Sequence, residues 1–171
     1  MPIKLLAFDV DGVMTDGTVL YTENGEEMKA FSVQDGLGVK CLLNAGVEIV
    51  VISGRGSKPL ERRLDDLGIR RRRLNCCDKT AALSDICDEL AISLADCAFM
   101  GDDWVDMDVI QRVGYGMAPG NAVQEVKDIA DWVSNKDGGR GAVREACEHI
   151  ASGLGVKLVD VFTQKDTRDP R

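Results

Sequence analysis

Three short apolar runs constrain this chain more than any other feature: residues 4–8 (KLLAF), 48–52 (EIVVI) and 97–100 (CAFM). Each stops at polar or glycine residues, namely Asp9-Val10-Asp11-Gly12, Ser53-Gly54-Arg55 and Gly101-Asp102-Asp103. An unbroken apolar run of this length is the pattern of a strand covered on both faces, as in a parallel sheet. In such sheets ligands collect beyond the carboxyl ends of the strands, where all three polar clusters would meet.

Helical patterns fill the intervals. Residues 35–43 read as a helix closed by Asn44-Ala45-Gly46, and Ser57 is placed to cap a helix through Leu67 with Pro59 in its first turn. Further helices are expected at 79–90, 105–112, 122–129 and 142–152, with short strands at 72–74 and 115–117. Strand and helix alternate throughout, which predicts one doubly wound α/β domain, Rossmann-like, with a parallel sheet. The length of 171 residues suits a single core. The domain is expected to span residues 1–155, followed by a C-terminal tail over 156–171 whose last part, 164–171 (QKDTRDPR), reads as mobile. One insertion interrupts the pattern: Asn24-Gly25 inside residues 17–32 marks a β-hairpin.

Crowded carboxylates repel one another unless a cation sits among them. Asp9, Asp11, Asp102, Asp103 and Asp106 are hard oxygen donors at strand ends, suited to Mg²⁺. Ser53 can donate to a phosphoryl oxygen, and Lys79, opening the next helix, can supply positive charge as a phosphoryl group transfers. Arg55, Arg63, Arg140 and Arg144 are candidates for a substrate carboxylate, because guanidinium binds carboxylate side-on through two hydrogen bonds.

The formal net charge of −8 argues against a nucleic-acid partner, and Arg70 to Arg73 reads as an ordinary surface turn. No apolar run approaches the roughly 18 residues a membrane span needs, and the N-terminus lacks a secretion signal's layout, so a cytoplasmic protein without membrane association is expected. The six cysteines include no Cys-x-x-Cys pair and read as reduced, mostly buried thiols. His149, the single histidine, lies in an Ala- and Glu-rich helix and reads as structural.

Asp9-Val10-Asp11-Gly12-Val13-Met14-Thr15-Asp16, Ser53, Lys79 and Gly101-Asp102-Asp103-x-x-Asp106 resemble the four ordered motifs of the haloacid-dehalogenase-like phosphatases. Asn24-Gly25-Glu26-Glu27, Asp35-Gly36-Leu37-Gly38, Ser53-Gly54-Arg55 and residues 138–145 (GGRGAVRE) are similar to the capless group acting on 3-deoxy-manno-octulosonate 8-phosphate, a sugar acid of lipopolysaccharide synthesis. The resemblance implies that Asp9 is a nucleophile forming an aspartyl phosphate. It implies that Asp11 is the general acid and base, its neighbouring charges helping it hold a proton. Asp9, the Asp11 backbone carbonyl and Asp102 would hold Mg²⁺, with Asp103 and Asp106 orienting water or Lys79. Gly54 and the four arginines would bind substrate. Asn75-Cys76 departs from the Gln-Gly that the family commonly carries before the motif lysine, and residues 156–162 match weakly.

In capless relatives the hairpin assembles a tetramer in which a neighbouring subunit closes the site. The apolar residues Val19, Leu20, Tyr21, Met28 and Phe31 suit that use, so a homotetramer is expected. Two other readings share the motifs. A phosphatase of nine-carbon deoxynonulosonate 9-phosphates tends to carry Glu and Lys where this chain has Arg55 and Asp66. A phospho-accepting signalling domain also clusters aspartates, but lacks Asp-x-Asp-Gly on its first strand.

Overall fold

The computed structural model describes residues 3–166. The chain opens with β1 (Leu5–Phe8), the hairpin strands β2 (Leu20–Tyr21) and β3 (Glu27–Met28), α1 (Val33–Asn44), β4 (Glu48–Ser53), α2 (Lys58–Leu67), β5 (Arg71–Leu74) and α3 (Lys79–Leu90). It continues with β6 (Cys97–Met100), α4 (Met107–Arg112), β7 (Tyr115–Ala118), α5 (Gln124–Ile129), β8 (Trp132–Val133), α6 (Ala142–Gly153) and α7 (Leu158–Asp166). Short 3₁₀ turns at Leu94–Asp96 and Trp104–Asp106 precede β6 and α4.

Six strands form one parallel sheet in the order β5-β4-β1-β6-β7-β8, and β2-β3 form a separate antiparallel pair. Alternation along β1 explains why its residues are all apolar. Leu6 and Phe8 enter a core built with Val39, Leu42, Leu60, Leu64 and Ala146 of α1, α2 and α6. Leu5 and Ala7 enter the opposite core, with Leu83, Ile86, Ile110 and Val126 of α3, α4 and α5. A strand with helices on both faces has no polar side to spare.

Helix ends follow local chemistry. Ser32 caps α1 by accepting from Asp35 N–H at 3.2 Å, and Asp78 caps α3 by accepting from Ala81 N–H at 2.9 Å. Gly68 closes α2 in the left-handed region, φ +75°. Ser57 occupies the N-cap position of α2, but its hydroxyl makes no capping bond.

Several expectations shift. The short strand expected at 72–74 is present as the edge strand Arg71–Leu74, so Arg71 to Arg73 lie in a strand and not in the expected surface turn. They are neutralised in place: Arg71 by Glu48 at 3.1 Å, Arg72 by Asp65 at 2.7 Å and Arg73 by Glu89 at 2.9 Å. Residues 158–166, expected within a tail, form α7, and Leu158 is buried in the core beside α1. The last five residues of the expected mobile segment, 167–171, lie outside the described residues. Phe31 is packed against the core under Arg63, whose guanidinium carbon lies 5.8 Å from the ring centre, so it is not part of the exposed hairpin face. The remaining hairpin residues Val19, Leu20, Tyr21 and Met28 are exposed by 37%, 45%, 61% and 48%. No helix among the described residues is long and apolar enough to cross a membrane.

Candidate active site

β1, β4 and β6 lie side by side, so the residues that follow them meet at one edge of the sheet. The loop after β1 wraps around a single carbonyl: Val13, Met14 and Thr15 N–H all point to Val10 O, at 2.9 to 3.2 Å. Asp9 N–H donates to Met100 O at 3.0 Å, which ties the first carboxylate to β6. Gly12 has φ +82°, and a Cβ there would stand 1.9 Å from Asp102 Oδ2. Glycine is thus required twice over, by conformation and by the close approach of Asp102.

Lys79, the first residue of α3, is buried and reaches two carboxylates: Asp9 Oδ2 at 2.9 Å and Asp106 Oδ1 at 2.5 Å. The second oxygen of Asp106 accepts Asp102 N–H at 3.0 Å and Asp103 N–H at 3.4 Å. Asp106 is fully buried, and Gly101 makes room for it, since a Cβ at Gly101 would lie 2.4 Å from the Asp106 carboxyl carbon. One carboxylate oxygen from each of Asp9, Asp102 and Asp106 lies within 4.8 Å of the other two.

Burial raises the Asp9 pKa to about 6, with Asp106 adding repulsion and Lys79 opposing it. Burial, then the charges of Asp9, Asp106 and Asp103, raise Asp102 to about 7. Burial alone would discourage the charge on Lys79, but Asp9 and Asp106 outweigh it and hold its pKa above the ordinary value. A pair of carboxylates that resist ionising together, facing a cradle that lacks a Cβ at Gly12, fits a hard divalent cation.

Ser53 ends β4 and is buried; its hydroxyl accepts Arg55 N–H at 3.2 Å, and its carbonyl accepts Cys76 N–H at 3.0 Å. The departure at Asn75-Cys76 therefore keeps the loop before Lys79 in contact with β4. Asn75 adopts φ 56°, a conformation asparagine tolerates, and its Oδ1 accepts Gly56 N–H at 2.9 Å.

The like-charge crowding expected around Asp11 falls on Asp9 and Asp102 instead. Asp11 faces cations: Lys29 Nζ donates to its Oδ1, and Arg55 Nε lies 3.8 Å from its Oδ2. Arg55 also donates to Glu27 Oε2 at 3.0 Å and to Tyr21 OH at 3.2 Å. Of the four candidate arginines, only Arg55 contacts an acidic-motif strand end and the hairpin together. Arg63 donates to Ser32 O at 2.8 Å and packs on Phe31. Arg140 is exposed beside Asp16 at 3.4 Å. Arg144 pairs with Glu148 at 2.6 Å, while its N–H donates to Asp35. Gly54 is exposed after Ser53, with Cys76 O the nearest atom a Cβ would meet, at 3.8 Å.

Sequence reasoning missed Lys29 and Asn121, and it read Glu27 only as part of a motif and Tyr21 only as part of the hairpin's apolar face, without a place at the site. Asn121 braces the β1 loop: its side-chain oxygen accepts Gly138 N–H at 2.7 Å and its amide donates to Gly12 O at 3.4 Å. Gly139 N–H donates to Val13 O at 2.9 Å, and a Cβ on Gly138 would strike Gly12 O at 1.8 Å. The glycine pair at 138–139 was visible as a motif; its contact with the β1 loop was not. A cavity of about 830 Å³ opens elsewhere, where Leu37, Asp65 and Phe162 of α1, α2 and α7 line it.

Residues 74–145 match the haloacid dehalogenase-like hydrolase family. The chain is 42% identical over 153 residues to 3-deoxy-D-manno-octulosonate 8-phosphate phosphatase KdsC of Escherichia coli K12, covering 90% of this chain and 81% of the relative. It is 40% identical over 157 residues to KdsC of Haemophilus influenzae, covering 92% and 87%. Among solved structures, the Moraxella catarrhalis phosphatase in complex with magnesium, phosphate and KDO superposes with TM-score 0.86 at 41% identity, covering 88% of this chain and 86% of that one. The cobalt-bound Haemophilus influenzae phosphatase superposes with TM-score 0.87 at 40% identity, covering 90% of each chain.

Proposed function

The chain belongs to the 3-deoxy-D-manno-octulosonate 8-phosphate phosphatases, phosphoric monoester hydrolases of the haloacid dehalogenase-like kind, and on that footing we propose how its residues act. The substrate is 3-deoxy-D-manno-octulosonate 8-phosphate, hydrolysed to the free sugar acid and phosphate in lipopolysaccharide sugar synthesis. The observation that carries the reading is the Asp9–Lys79–Asp106–Asp102 cluster, which gathers three carboxylates that could hold a cation and a fixed positive charge at one sheet edge, and so supports Asp9 as the nucleophile.

Asp9 attacks phosphorus through one carboxylate oxygen, forming a phosphorus–oxygen bond as the bond to the sugar oxygen breaks. Asp11 gives that departing oxygen a proton. Water then attacks the aspartyl phosphate, Asp11 takes its proton, and cleavage of the bond to Asp9 releases phosphate. Lys79 and the Ser53 hydroxyl stabilise charge on the phosphoryl oxygens. Asp9, Asp102 and the Asp11 carbonyl would hold Mg²⁺, which when bound neutralises phosphoryl charge. Asp106 keeps Lys79 aimed, and Asp103 braces the turn by accepting Trp104 N–H at 2.7 Å.

Arg55 is the arginine best placed for the substrate's carboxylate, with Gly54 leaving space beside it and exposed Arg140 as a second contact. Arg63, on Ser32 O at the start of α1, and Arg144, paired with Glu148 on α6, are further candidates for substrate contact. The domain extends over 1–155, with α7 packed against it, and the exposed hairpin supports a homotetramer. Six cysteines that form no disulfide with one another suit a cytoplasmic setting.

The test is phosphate release with Mg²⁺ from sugar-acid and ordinary sugar phosphates, with Asp9→Asn as blank. Preferential turnover of the eight-carbon ester supports the substrate. Preference for a nine-carbon ester would overturn it while keeping the chemistry. A single labelling of Asp9 without turnover would favour a phospho-accepting domain.

A further inference from the structure

Lys29 lies just past β3, on a hairpin arm whose neighbours Met28 and Ala30 are exposed, yet its side chain is only 3% exposed. A lysine rarely hides its ammonium unless carboxylates hold it there. Two do. Lys29 Nζ donates to Asp11 Oδ1 and stands 3.0 Å from Glu27 Oε1. Arg55 closes the ring, with its Nη2 3.0 Å from Glu27 Oε2 and its Nε 3.8 Å from Asp11 Oδ2. The four members carry two charges of each sign, and they come from three segments: the loop after β1, the loop after β4 and the hairpin.

The main chain around Asp11 is already set by the three N–H groups that converge on Val10 O. What remains free there is the direction of the carboxyl group. Lys29 on one oxygen and Arg55 near the other restrict it. Asp9, by contrast, is aimed by Lys79 and takes nothing from the hairpin. The two halves of the chemistry are therefore held by different parts of the chain.

We propose that Lys29 is a positioning residue for Asp11, by which the hairpin of the same chain sets the leaving-group half of the reaction while the nucleophilic half stands without it. This rests on the reading of Asp11 as the proton donor. A misdirected donor harms esters whose alkoxide needs a proton far more than esters whose leaving group departs unprotonated.

The experiment compares kcat and KM of the full chain with Mg²⁺ on 3-deoxy-D-manno-octulosonate 8-phosphate and on p-nitrophenyl phosphate. Lys29→Met is expected to lower kcat/KM on the sugar ester by about 10²-fold, the scale of a positioned general acid, and by roughly tenfold less on the aryl ester. KM for the sugar ester should move less than kcat, and Lys29→Arg should recover part of the sugar-ester rate. Asp11 also takes the proton from water in the second step, which both esters share. The two esters are therefore compared in kcat/KM, which extends only to formation of the aspartyl phosphate. Equal losses of kcat/KM on both esters, or a loss confined to KM, overturn the inference. Lys29→Gln, closer in shape and polarity, gives the same comparison if the Met variant does not fold. Asp9→Asn in the same assay keeps the two claims apart: turnover surviving there strikes the nucleophile, whereas a uniform loss in the Lys29 variants strikes only the positioning role.

Discussion

Lys79 Nζ lies 2.5 Å from Asp106 Oδ1 in a place where Asp106 has no solvent exposure at all. Asp106 answers three donors, the ammonium and the N–H groups of Asp102 and Asp103, so it fixes the lysine and the turn after β6 together. Removing one partner of a buried ion pair leaves the other charge uncompensated. Asp106→Ala is expected to destabilise the fold by about 3 kcal/mol, the lower end for such a loss, because Asp9 still pairs with Lys79. Urea unfolding measures this, and a change within about 0.5 kcal/mol, the range of ordinary surface substitutions, would show that the pair is not structurally important.

Gly12 tests the cation cradle without touching a carboxylate. A methyl group there would collide with Asp102 Oδ2 at 1.9 Å and would also demand φ +82° of a residue with a Cβ. Gly12→Ala is expected to push Asp102 aside, weaken Mg²⁺ binding in titration calorimetry and lower kcat by about 10²-fold, as displacements near 1 Å do. Far-UV circular dichroism should stay unchanged. Full Mg²⁺ affinity in this variant would mean that Asp102 is not a ligand.

Asp9, Ser53 and Asp102 were legible because each ends an apolar run, and a buried strand can place polar side chains only at its tip. Lys79 was legible because it opens the helix expected over 79–90, which the structure shows capped by Asp78. Lys29 carries no comparable signal: its burial comes from Asp11 and Glu27, and pairing with Asp11 crosses 18 positions of sequence. Guanidinium chemistry alone suggested Arg63 and Arg144, and it could not show the partners they hold within the chain: Ser32 O and the Phe31 ring for Arg63, and Glu148 for Arg144. β8 escaped notice because two residues cannot display a period, and α7 because its apolar residues Val159 and Phe162 stay exposed while Leu158 alone is fully buried among them.

Asp35 links α1 to the start of α6 by accepting Arg144 N–H at 2.9 Å. Burial lifts its carboxyl above the ordinary 3.8, against the N–H groups of Arg144 and Gly141 that favour the charge. The folded protein thus holds this proton more tightly than the unfolded chain. That contribution to stability is complete below the unfolded value and is lost as pH rises through the raised one. Asp35→Asn keeps an oxygen for Arg144 N–H and has no proton to lose. Relative to the parent, the Asn variant should therefore gain Tm on going from about pH 4 to about pH 7. An equal difference between the two proteins at both pH values would show that Asp35 ionises as freely when folded as when unfolded.

Leu20 and Met28 face each other across the hairpin, and both are nearly half exposed. A two-stranded ribbon of this length has little stability alone, so an apolar face on it calls for a cover. Replacing the pair by Leu20→Glu with Met28→Lys removes the apolar surface while leaving opposite charges directly across the strands, an arrangement that supports the ribbon itself. The folded double variant is expected to elute later than the parent in size-exclusion chromatography, as a smaller assembly. An unchanged elution volume, with the ribbon intact, would take the hairpin out of the interface. A smaller assembly that kept its full rate on the sugar ester would show that the neighbouring subunit adds nothing to the site, and would confine the hairpin's contribution to its own chain, through Lys29, Glu27 and Tyr21.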